Sequence, residues 1–405
     1  MTESRPNHAW KEIAAGFLKV GATAYGGPAI MGVMQAEFQE RRQWMSKPRF
    51  LEGLALVNVL PGATAVQLGI FLGYARAGWW GGLLAGVAFA APAFVVMLAL
   101  ALAYAALGVS PIVRGALYGL GPVVVGIFVV ALYRLGRSAM RAWPHRCIAV
   151  AAAVAALVSP LGTVAILLLA GSAGLFLFHS RRIGAVVGVV LIAVIVLLPL
   201  VVPSPVISSG GADQAPRLGR VVTLFATIGA FTFGGGLSMI ALVDEHVVGR
   251  LRWLTPQEFI AGLALGQLTP GPVLMVAAYV GYKLLGIGGA VAAAAAAFLP
   301  SFVLMLAILP AFDRVRNLAW ARAVIQGIAP GVIGVMAVAL ARMAPPAVPD
   351  LLAVVVLLAT VAALILWQLA PFKAIAAGAV LGVLRSRLCD LPGVRAALCV
   401  AAWGR

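Results

Sequence analysis

The sequence predicts an all-α polytopic membrane protein, built as an inverted-topology repeat of two homologous halves with broken helices. Three observations lead to this fold class: the composition, an internal repeat and the charge of the loops. Of the 405 residues, 63% are hydrophobic and only 10% are charged, and the mean hydropathy is +1.07. A soluble domain is about half apolar and a quarter charged. The composition therefore indicates a chain that crosses a membrane several times.

The second observation is a repeat whose copies lie about 208 residues apart, as Gly21 and Gly229 do. The matched stretches are 21–28 with 229–236, Pro61-Gly62 with Pro270-Gly271, and 92–99 with 300–307. Duplicated membrane segments with glycine and proline at matched places are typical of secondary transporters, whose halves meet at a shared site.

The repeat divides the chain into a first repeat at 1–202, a linker at 203–217 rich in Ser, Gly and Pro, and a second repeat at 218–405. A spanning helix needs about 20 apolar residues. The predicted segments lie near 11–34, 48–75, 79–107, 111–136, 145–159, 161–180, 182–202, 218–242, 255–283, 286–312, 320–343, 346–367 and 371–388, with a short stretch at 391–403. Their number stays open near 145–180 and 371–403.

The third observation is that equivalent loops carry opposite charge biases. The loop after the fourth segment holds several arginines, and its counterpart at 342–350 holds one; the loop at 107–112 holds none, whereas its counterpart holds Arg314 and Arg316. Lys and Arg collect on the cytoplasmic side, so the two halves are predicted to be inverted, with an odd number of crossings in the first. The arginines of the loop after the fourth segment are Arg134, Arg137, Arg141 and Arg146.

The charge of one loop disagrees with this predicted topology. It lies on the side predicted to be outside, and it carries Arg41, Arg42, Lys47 and Arg49. Either the first segments are re-entrant, or these charges serve something other than orientation.

The composition and motifs exclude several function classes. The formal charge is +17, but the Lys and Arg residues stand between apolar segments, where topology signals lie, so nucleic-acid binding is not predicted. The three cysteines show no metal or disulfide spacing, and no metal or cofactor is predicted. No P-loop pattern occurs, so the chain is not expected to hydrolyse ATP. A membrane enzyme is disfavoured because no haem-ligand pair, Cys cluster or His-Asp pair lies in an apolar segment.

The first candidate site is a pair of triplets, Gly26-Gly27-Pro28 and Gly234-Gly235-Gly236, in the middle of their apolar segments. In a helix interior glycine costs about 1 kcal/mol and proline about 3 kcal/mol. A backbone break survives at membrane depth only where protein or a water-filled cavity satisfies it. The start of the half-helix that follows then suits an anion. The competing interpretation is close helix packing through small residues.

The second candidate site is the pair of proline-glycine breaks with their polar neighbours. Hydroxyl and amide groups there can hydrogen-bond an oxyanion without neutralising its charge. They serve equally well to cap the broken backbone, and the sequence leaves both roles open. The residues are Asn58, Pro61, Gly62 and Thr64 in the first half, and Gln267, Thr269, Pro270 and Gly271 in the second.

Four charged residues are candidates for gating or coupling. Glu37 and Glu245 follow the first segment of each half and are predicted to be equivalent; such carboxylates carry a coupling proton, form gate ion pairs or remain solvated. Arg114 and Arg322 open the fourth segments, where a cation opposes the helix dipole, so each is expected to pair with a carboxylate such as Glu37 or Glu245, or with substrate.

The motifs Tyr25-Gly26-Gly27-Pro28, Phe233-Gly234-Gly235-Gly236 and Leu268-Thr269-Pro270-Gly271-Pro272 closely resemble those of the chromate ion transporter family, in its long two-domain form. The resemblance covers nearly the whole chain. It implies a multi-pass carrier of the bacterial cytoplasmic membrane that expels chromate and confers chromate resistance. Two departures touch the candidate site: Ala63 follows Pro61-Gly62 where the family usually has a second proline, and Tyr25 replaces the usual Phe.

Several alternatives remain open at this point. Chromate and sulfate share charge and shape, so the sequence does not separate a chromate carrier from a carrier of sulfate or another tetrahedral oxyanion. Transport by uniport driven by the membrane potential and transport by proton antiport both fit. A passive channel and a homodimer are also left open. The expected partners are the small anionic substrate and membrane lipid.

Overall fold

The computed structural model describes residues 6–25, 27–107, 110–140, 142–159, 161–201, 215–233, 236–311 and 318–389. These residues form helices and turns with no β-strand among them. The helices of the first half are α1 (Pro6–Thr23), α2 (Gly27–Met34, continued by a π-helix at Gln35–Arg41), α3 (Lys47–Val59), α4 (Thr64–Leu107), α5 (Pro111–Ala139), α6 (Trp143–Val158), α7 (Thr163–Phe178) and α8 (Arg181–Val201).

The second half repeats this order. Its helices are α9 (Leu218–Ala230), α10 (Leu237–Val243, continued by a π-helix at Asp244–Arg250), α11 (Pro256–Leu268), α12 (Val276–Ile308), α13 (Ala319–Ala347), α14 (Leu351–Leu366) and α15 (Pro371–Cys389). Only α8 has no counterpart among the described residues. The predicted fold class is confirmed: the chain is an all-α, multi-pass membrane protein with two homologous halves and broken helices.

The first break in each half is a point where the chain turns back. The ring of Phe38 stacks on Phe17 at 4.3 Å between centroids, and the indole of Trp44 donates to Glu12 at 2.9 Å. Helix α2 and its π-helical continuation therefore run antiparallel to α1, and Ala24 and Tyr25 lie at the tip of this hairpin. In the second half, α9 and α10 are the equivalent helices. More residues separate them, and those described, 231–233 and 236, lie at the tip of the hairpin.

The second break is also a hairpin tip. A side chain added at Gly53 of α3 would overlap the ring of Phe71, so α3 and the first arm of α4, residues 64–76, pack antiparallel around the tip at 60–63. Each of these helices has 13 residues, about 20 Å, which is too short to span the membrane. Helix α4 reverses again at Ala77-Gly78, where φ and ψ leave the helical region. The arm at 79–107 is long enough to cross.

The second half contains the same second hairpin. Gly262 of α11 lies against the ring of Tyr279, around a tip at 269–272, and α12 reverses at Leu285-Gly286. The predicted spans at 11–34, 48–75, 218–242 and 255–283 are therefore wrong as crossings: each is a re-entrant hairpin. Length and hydropathy cannot distinguish two half-length helices that turn back from one continuous span.

The two halves are inverted relative to each other. A Cβ added at Gly82 would lie 3.3 Å from Leu306, and one added at Gly86 would lie 2.6 Å from Phe302, so the arm of α4 at 79–107 runs antiparallel to its equivalent arm of α12. Equivalent helices that cross in opposite directions require inversion. In the described first half this arm and α5 are long and apolar enough to cross, and α8 has 21 residues. The number of crossings is odd whether the 16-residue helices α6 and α7 each cross or turn back as a pair.

Re-entrant hairpins also explain the charged loop at 41–49. Because the first hairpin returns the chain to its starting face, Arg42 lies beside Glu12 at 3.7 Å, and Arg76 lies 3.0 Å from the same carboxylate. The arm at 79–107 then crosses, and α5 crosses back. The loop at 41–49, Arg76 and the end of α5 therefore share one face, which the positive-inside rule assigns to the cytoplasm.

Each half completes its packing with helices of the other. Helix α5 packs against α14 and α15, whereas α13 packs against α6 and α7. Glycines allow close approach in both places, as at Gly119 with Gly378 and at Gly327 with Gly174. The halves are thus interlocked through two equivalent sets of contacts, which a pseudo-two-fold axis relates to each other.

Candidate functional site

The four hairpin tips are joined in two pairs, and each pair links one half to the other. The amide of Gly62 donates to the carbonyl of Thr232 at 2.6 Å, and the amide of Gly271 donates to the carbonyl of Ala24 at 2.9 Å. Gly62 is the equivalent of Gly271, and Ala24 is the equivalent of Thr232. The second hairpin of each half is therefore bonded to the first hairpin of the other half, at the place where the sequence predicts the site.

Both bonding glycines occupy a conformation that favours glycine. Their φ angles are +124° at Gly62 and +90° at Gly271, in a region that costs an L-residue about 1–2 kcal/mol. A Cβ at Gly62 would overlap Ser301 Oγ and Gln67 Nε2, and a Cβ at Gly271 would lie 3.0 Å from that of Ala93. A larger side chain at either position would push the tips apart.

The tips lead into helix starts and carry no charged side chains. The starts of α2, the first arm of α4, α10 and α12 follow the four tips in the chain, and the carbonyls that follow α1 and α9 accept the two bonds between the halves. The first amides of a helix have no partner within it and carry the positive end of its dipole. No Lys, Arg, Asp or Glu occurs in 24–28, 60–64, 231–236 or 269–272. Such a site attracts an anion without fully neutralising it.

The polar groups of the site are unequal between the halves. Ser301 Oγ accepts the amide of Ala63 at 2.8 Å, and the equivalent of Ser301 is Ala93. The side-chain nitrogen of Gln67 donates to the Pro61 carbonyl at 2.6 Å, which leaves the Gln67 Oε1 buried and without a partner among the described residues. Because a carbonyl can only accept, the nitrogen must face Pro61. The region around the 60–63 tip is therefore more polar than the region around the 269–272 tip.

Three groups at the tips were not predicted as site residues from the sequence. Ser301 was signalled only by its mismatch with Ala93 inside an otherwise repeated stretch. Ser238 Oγ accepts the amide of Phe233 at 2.6 Å and so holds the longer tip of the second half. Thr232 supplies a backbone carbonyl, for which no side-chain pattern gives a signal.

The remaining predicted residues fall into four groups. Those in the tips are Gly27 and Pro28, which begin α2; Gly236, which precedes α10 at φ +99°; and Pro61, Thr64, Thr269 and Pro270. Two residues bond the backbone of their own helix. The side-chain amide of the exposed Asn58 donates to the carbonyl of Leu54, and the hydroxyl of Thr269 donates to the carbonyl of Leu265. Gln267 is half-buried in the last turn of α11. Gly26, Gly234 and Gly235 lie outside the described residues.

Glu37 lies at the base of the first hairpin in a cluster of cations. Its carboxylate is 2.8 Å from Arg42, 3.4 Å from Arg41 and 3.7 Å from Lys19, and the residue is 8% exposed. Arg42 also approaches Glu12, which binds Arg76. All these groups belong to the first half.

Glu245 makes a different connection. It binds Arg250 at 2.6 Å, and its other oxygen accepts the backbone amide of Thr163, the first residue of α7, at 2.7 Å. Glu245 thus joins the first hairpin of the second half to a helix of the first half. The equivalent of Thr163 is Pro371, which has no amide proton, so this bond cannot be repeated on the opposite face.

The backbone register shows that Glu37 and Glu245 are not equivalent positions. The backbone amide of Arg42 donates to the backbone carbonyl of Glu37 at 3.1 Å. The corresponding bond in the second half runs from the amide of Leu251 to the carbonyl of His246 at 2.8 Å. The structural equivalent of Glu37 is therefore His246, one residue beyond the predicted one. The extra residue of the second half lies upstream, between Thr232 and His246.

The two predicted arginines lie near the starts of the fourth helices of the halves. Arg114 follows Pro111, the first residue of α5, and its side chain lies outside the described residues. Arg322 is exposed in the first turn of α13. The cations that bind Glu37 and Glu245 are the lysine and arginines named above.

Comparison with known proteins gives a consistent picture. The family model described as chromate transporter matches residues 11–175 and 219–383, one copy in each half. A chromate transport protein of Cupriavidus metallidurans is 31% identical over 377 residues, which is 93% of each chain. A probable chromate transport protein of Synechococcus elongatus is 32% identical over 318 residues, 76% of this chain and 78% of the relative. A chromate transport protein of Pseudomonas aeruginosa is 31% identical over 360 residues, 85% of this chain and 84% of the relative.

No solved structure matches this chain.

Proposed function

We propose that this chain, which belongs to the chromate transporter family, is a secondary carrier that exports chromate across the bacterial cytoplasmic membrane and thereby confers chromate resistance. The observation that carries the proposal is that the four uncharged hairpin tips are bonded in two pairs, each of which joins one half to the other, inverted half. Inverted-repeat transporters place substrate at such an interface, at discontinuous helices near the midplane.

The tips suit a tetrahedral dianion through dipoles rather than charges. Helix-start amides, and the Ser301 hydroxyl, which accepts from Ala63 and keeps its own proton to donate, offer hydrogen bonds to such an anion. A site lined with lysine or arginine would hold a dianion too tightly for rapid release. The uncharged tips of this chain keep affinity moderate, which a carrier requires.

The ion pairs at the hairpin bases suit alternating gates. Glu37–Arg42 lies on one face, and Glu245–Arg250 lies on the other because the halves are inverted. Opening of one base while the other stays closed gives the site access to one side at a time. Glu37 and Glu245 act in this scheme as gate groups, and a coupling proton is not required.

Export needs no ATP, because the membrane potential favours it. Moving one charge through 100 mV is worth about 2.3 kcal/mol. A dianion that leaves a negative interior through such a potential therefore gains about 4.6 kcal/mol.

The test is uptake of labelled chromate into inverted vesicles that contain this protein, with the potential clamped and sulfate added as competitor. We expect uptake that saturates with chromate, increases when the vesicle interior is made positive, and exceeds that of vesicles without the protein. Uptake that does not saturate and shows no exchange acceleration would indicate a channel. Stronger inhibition by sulfate than by unlabelled chromate would make sulfate the substrate, and dependence on a pH gradient at zero potential would establish proton antiport.

A further inference from the structure

A cavity of about 660 Å³ lies between the last turns of α5 and the turn that joins α14 to α15, away from the four tips. Its lining consists of Tyr133, Arg134, Arg137, Ile365 and Gln368. Two guanidinium groups, a phenol and an amide therefore surround one space, and none of these five lining residues is a carboxylate. Such a donor set fits a phosphate group.

The cavity lies where a lipid headgroup would lie. It is on the arginine-rich face, since Arg141 and Arg146 follow α5 directly. Beside it Leu366 and Trp367 are each 70% exposed, and Tyr133 is 55% exposed. Exposed Trp and Tyr mark the membrane–water interface. The cavity thus opens at headgroup level of the leaflet that the positive-inside rule makes cytoplasmic.

The inverted repeat supplies an internal comparison for this cavity. Arg134 donates to the carbonyl of Leu364 at the end of α14 at 2.8 Å, and its equivalent, Arg342, donates to that of Ala156 at the end of α6 at 2.9 Å. This bond caps a helix end on both faces, so helix capping is sufficient to account for an arginine at position 134.

The other lining residues are not shared between the faces. Arg137, Tyr133 and Gln368 have Pro345, Ala341 and Pro160 as their equivalents. The second arginine, the phenol and the amide are therefore additions to one face only, and helix capping does not account for them.

We propose that this cavity binds the phosphate group of an anionic phospholipid of the cytoplasmic leaflet. Arg137 and Arg134 would contact the phosphate oxygens, with the Tyr133 hydroxyl and the Gln368 amide as further donors. The acyl chains would lie along the exposed apolar surface around Ile365 and Leu366. Basic pockets between helices on the cytoplasmic side bind such headgroups.

The test is a titration of the purified protein, in neutral detergent, with short-chain phosphatidylglycerol, followed by the rise in melting temperature. A ligand that binds the folded state raises the melting temperature with its concentration. We expect the apparent affinity to fall about tenfold in Arg137→Gln and in Arg134→Gln, because one charged hydrogen-bonding partner of phosphate is worth about that factor. Arg342→Gln, which loses the same capping bond on the opposite face, should bind phosphatidylglycerol like the unchanged protein.

Three results would overturn the proposal. The first is equal binding of phosphatidylglycerol by Arg137→Gln and the unchanged protein. The second is equal stabilisation by phosphatidylcholine, which would mean that negative charge is not recognised. The third is stabilisation by inorganic phosphate or chromate at the same concentrations as the lipid, with loss in Arg137→Gln, which would make the cavity a free-oxyanion site. Arg137 is exposed at a helix end, so its variant should fold, and its melting temperature without lipid verifies this.

Discussion

The two halves of this protein share one architecture but hold their hairpins in different ways. At the base of the first hairpin, Glu37 is surrounded by three cations of its own half. At the equivalent base in the second half, Glu245 binds one arginine and reaches across to the amide of Thr163 in the other half. The first arrangement closes a hairpin on itself, whereas the second ties it to its neighbour. Inverted repeats thus need not produce equivalent ion pairs on the two faces.

The inversion itself is the all-or-none part of this comparison. After replacement of the native cysteines, Met140→Cys at the end of α5 should be labelled by an impermeant reagent from the cytoplasmic face only. Pro346→Cys at the end of α13 should be labelled from the opposite face only. Labelling of both from the same face would contradict the inverted arrangement.

The largest expected effect on transport comes from the glycines that bond the halves together. Gly62→Leu and Gly271→Leu should each reduce chromate transport at least tenfold, since the new side chain must adopt a strained φ and separate the tips. Initial rates in vesicles, normalised to protein in the membrane, measure this. Gly32→Leu and Gly288→Leu are matched controls because both glycines face open space. Normal transport by both tip variants would remove the tips as the site.

The gate carboxylates should give an intermediate effect that differs between the halves. Glu37→Gln leaves three cations without their carboxylate and should lower the transport rate about fivefold, on the order of 1 kcal/mol. Glu245→Gln retains an acceptor for Thr163 and should lose less. Rates compared over a range of pH test both roles. Unchanged rates in both variants at every pH would exclude these residues from gating and from proton coupling.

The smallest expected effect comes from the polar asymmetry at the tips. Ser301→Ala removes the acceptor of the Ala63 amide and should destabilise that tip by about 1 kcal/mol, which would be seen as a several-fold higher KM for chromate. Ala93→Ser adds a hydroxyl beside the 269–272 tip. It should leave KM within about twofold, because no amide among the described residues at that tip depends on a hydroxyl at position 93. An equal change of KM in both variants would show that the regions around the 60–63 and 269–272 tips do not differ in binding.

The sequence predicted the positions of the backbone breaks more accurately than it predicted the chain path around them. The matched glycine and proline motifs located all four tips, because a break that recurs in both halves has to serve both. The same motifs were placed inside spanning segments, and this was wrong. A hairpin of two 13-residue helices has the same hydropathy as one long helix, so only the contacts of Gly53 with Phe71 and of Phe17 with Phe38 reveal the reversal.

By itself the sequence determined the all-α membrane fold, the duplication and the inversion, because hydropathy, motif spacing and loop charge are properties that each segment carries alone. The tertiary structure decided which segments turn back, that the second hairpin of one half bonds to the first hairpin of the other, and that Glu37 is equivalent to His246 rather than to Glu245. These features depend on backbone bonds and close glycine contacts between residues far apart in the chain, and neither leaves a pattern in a single sequence.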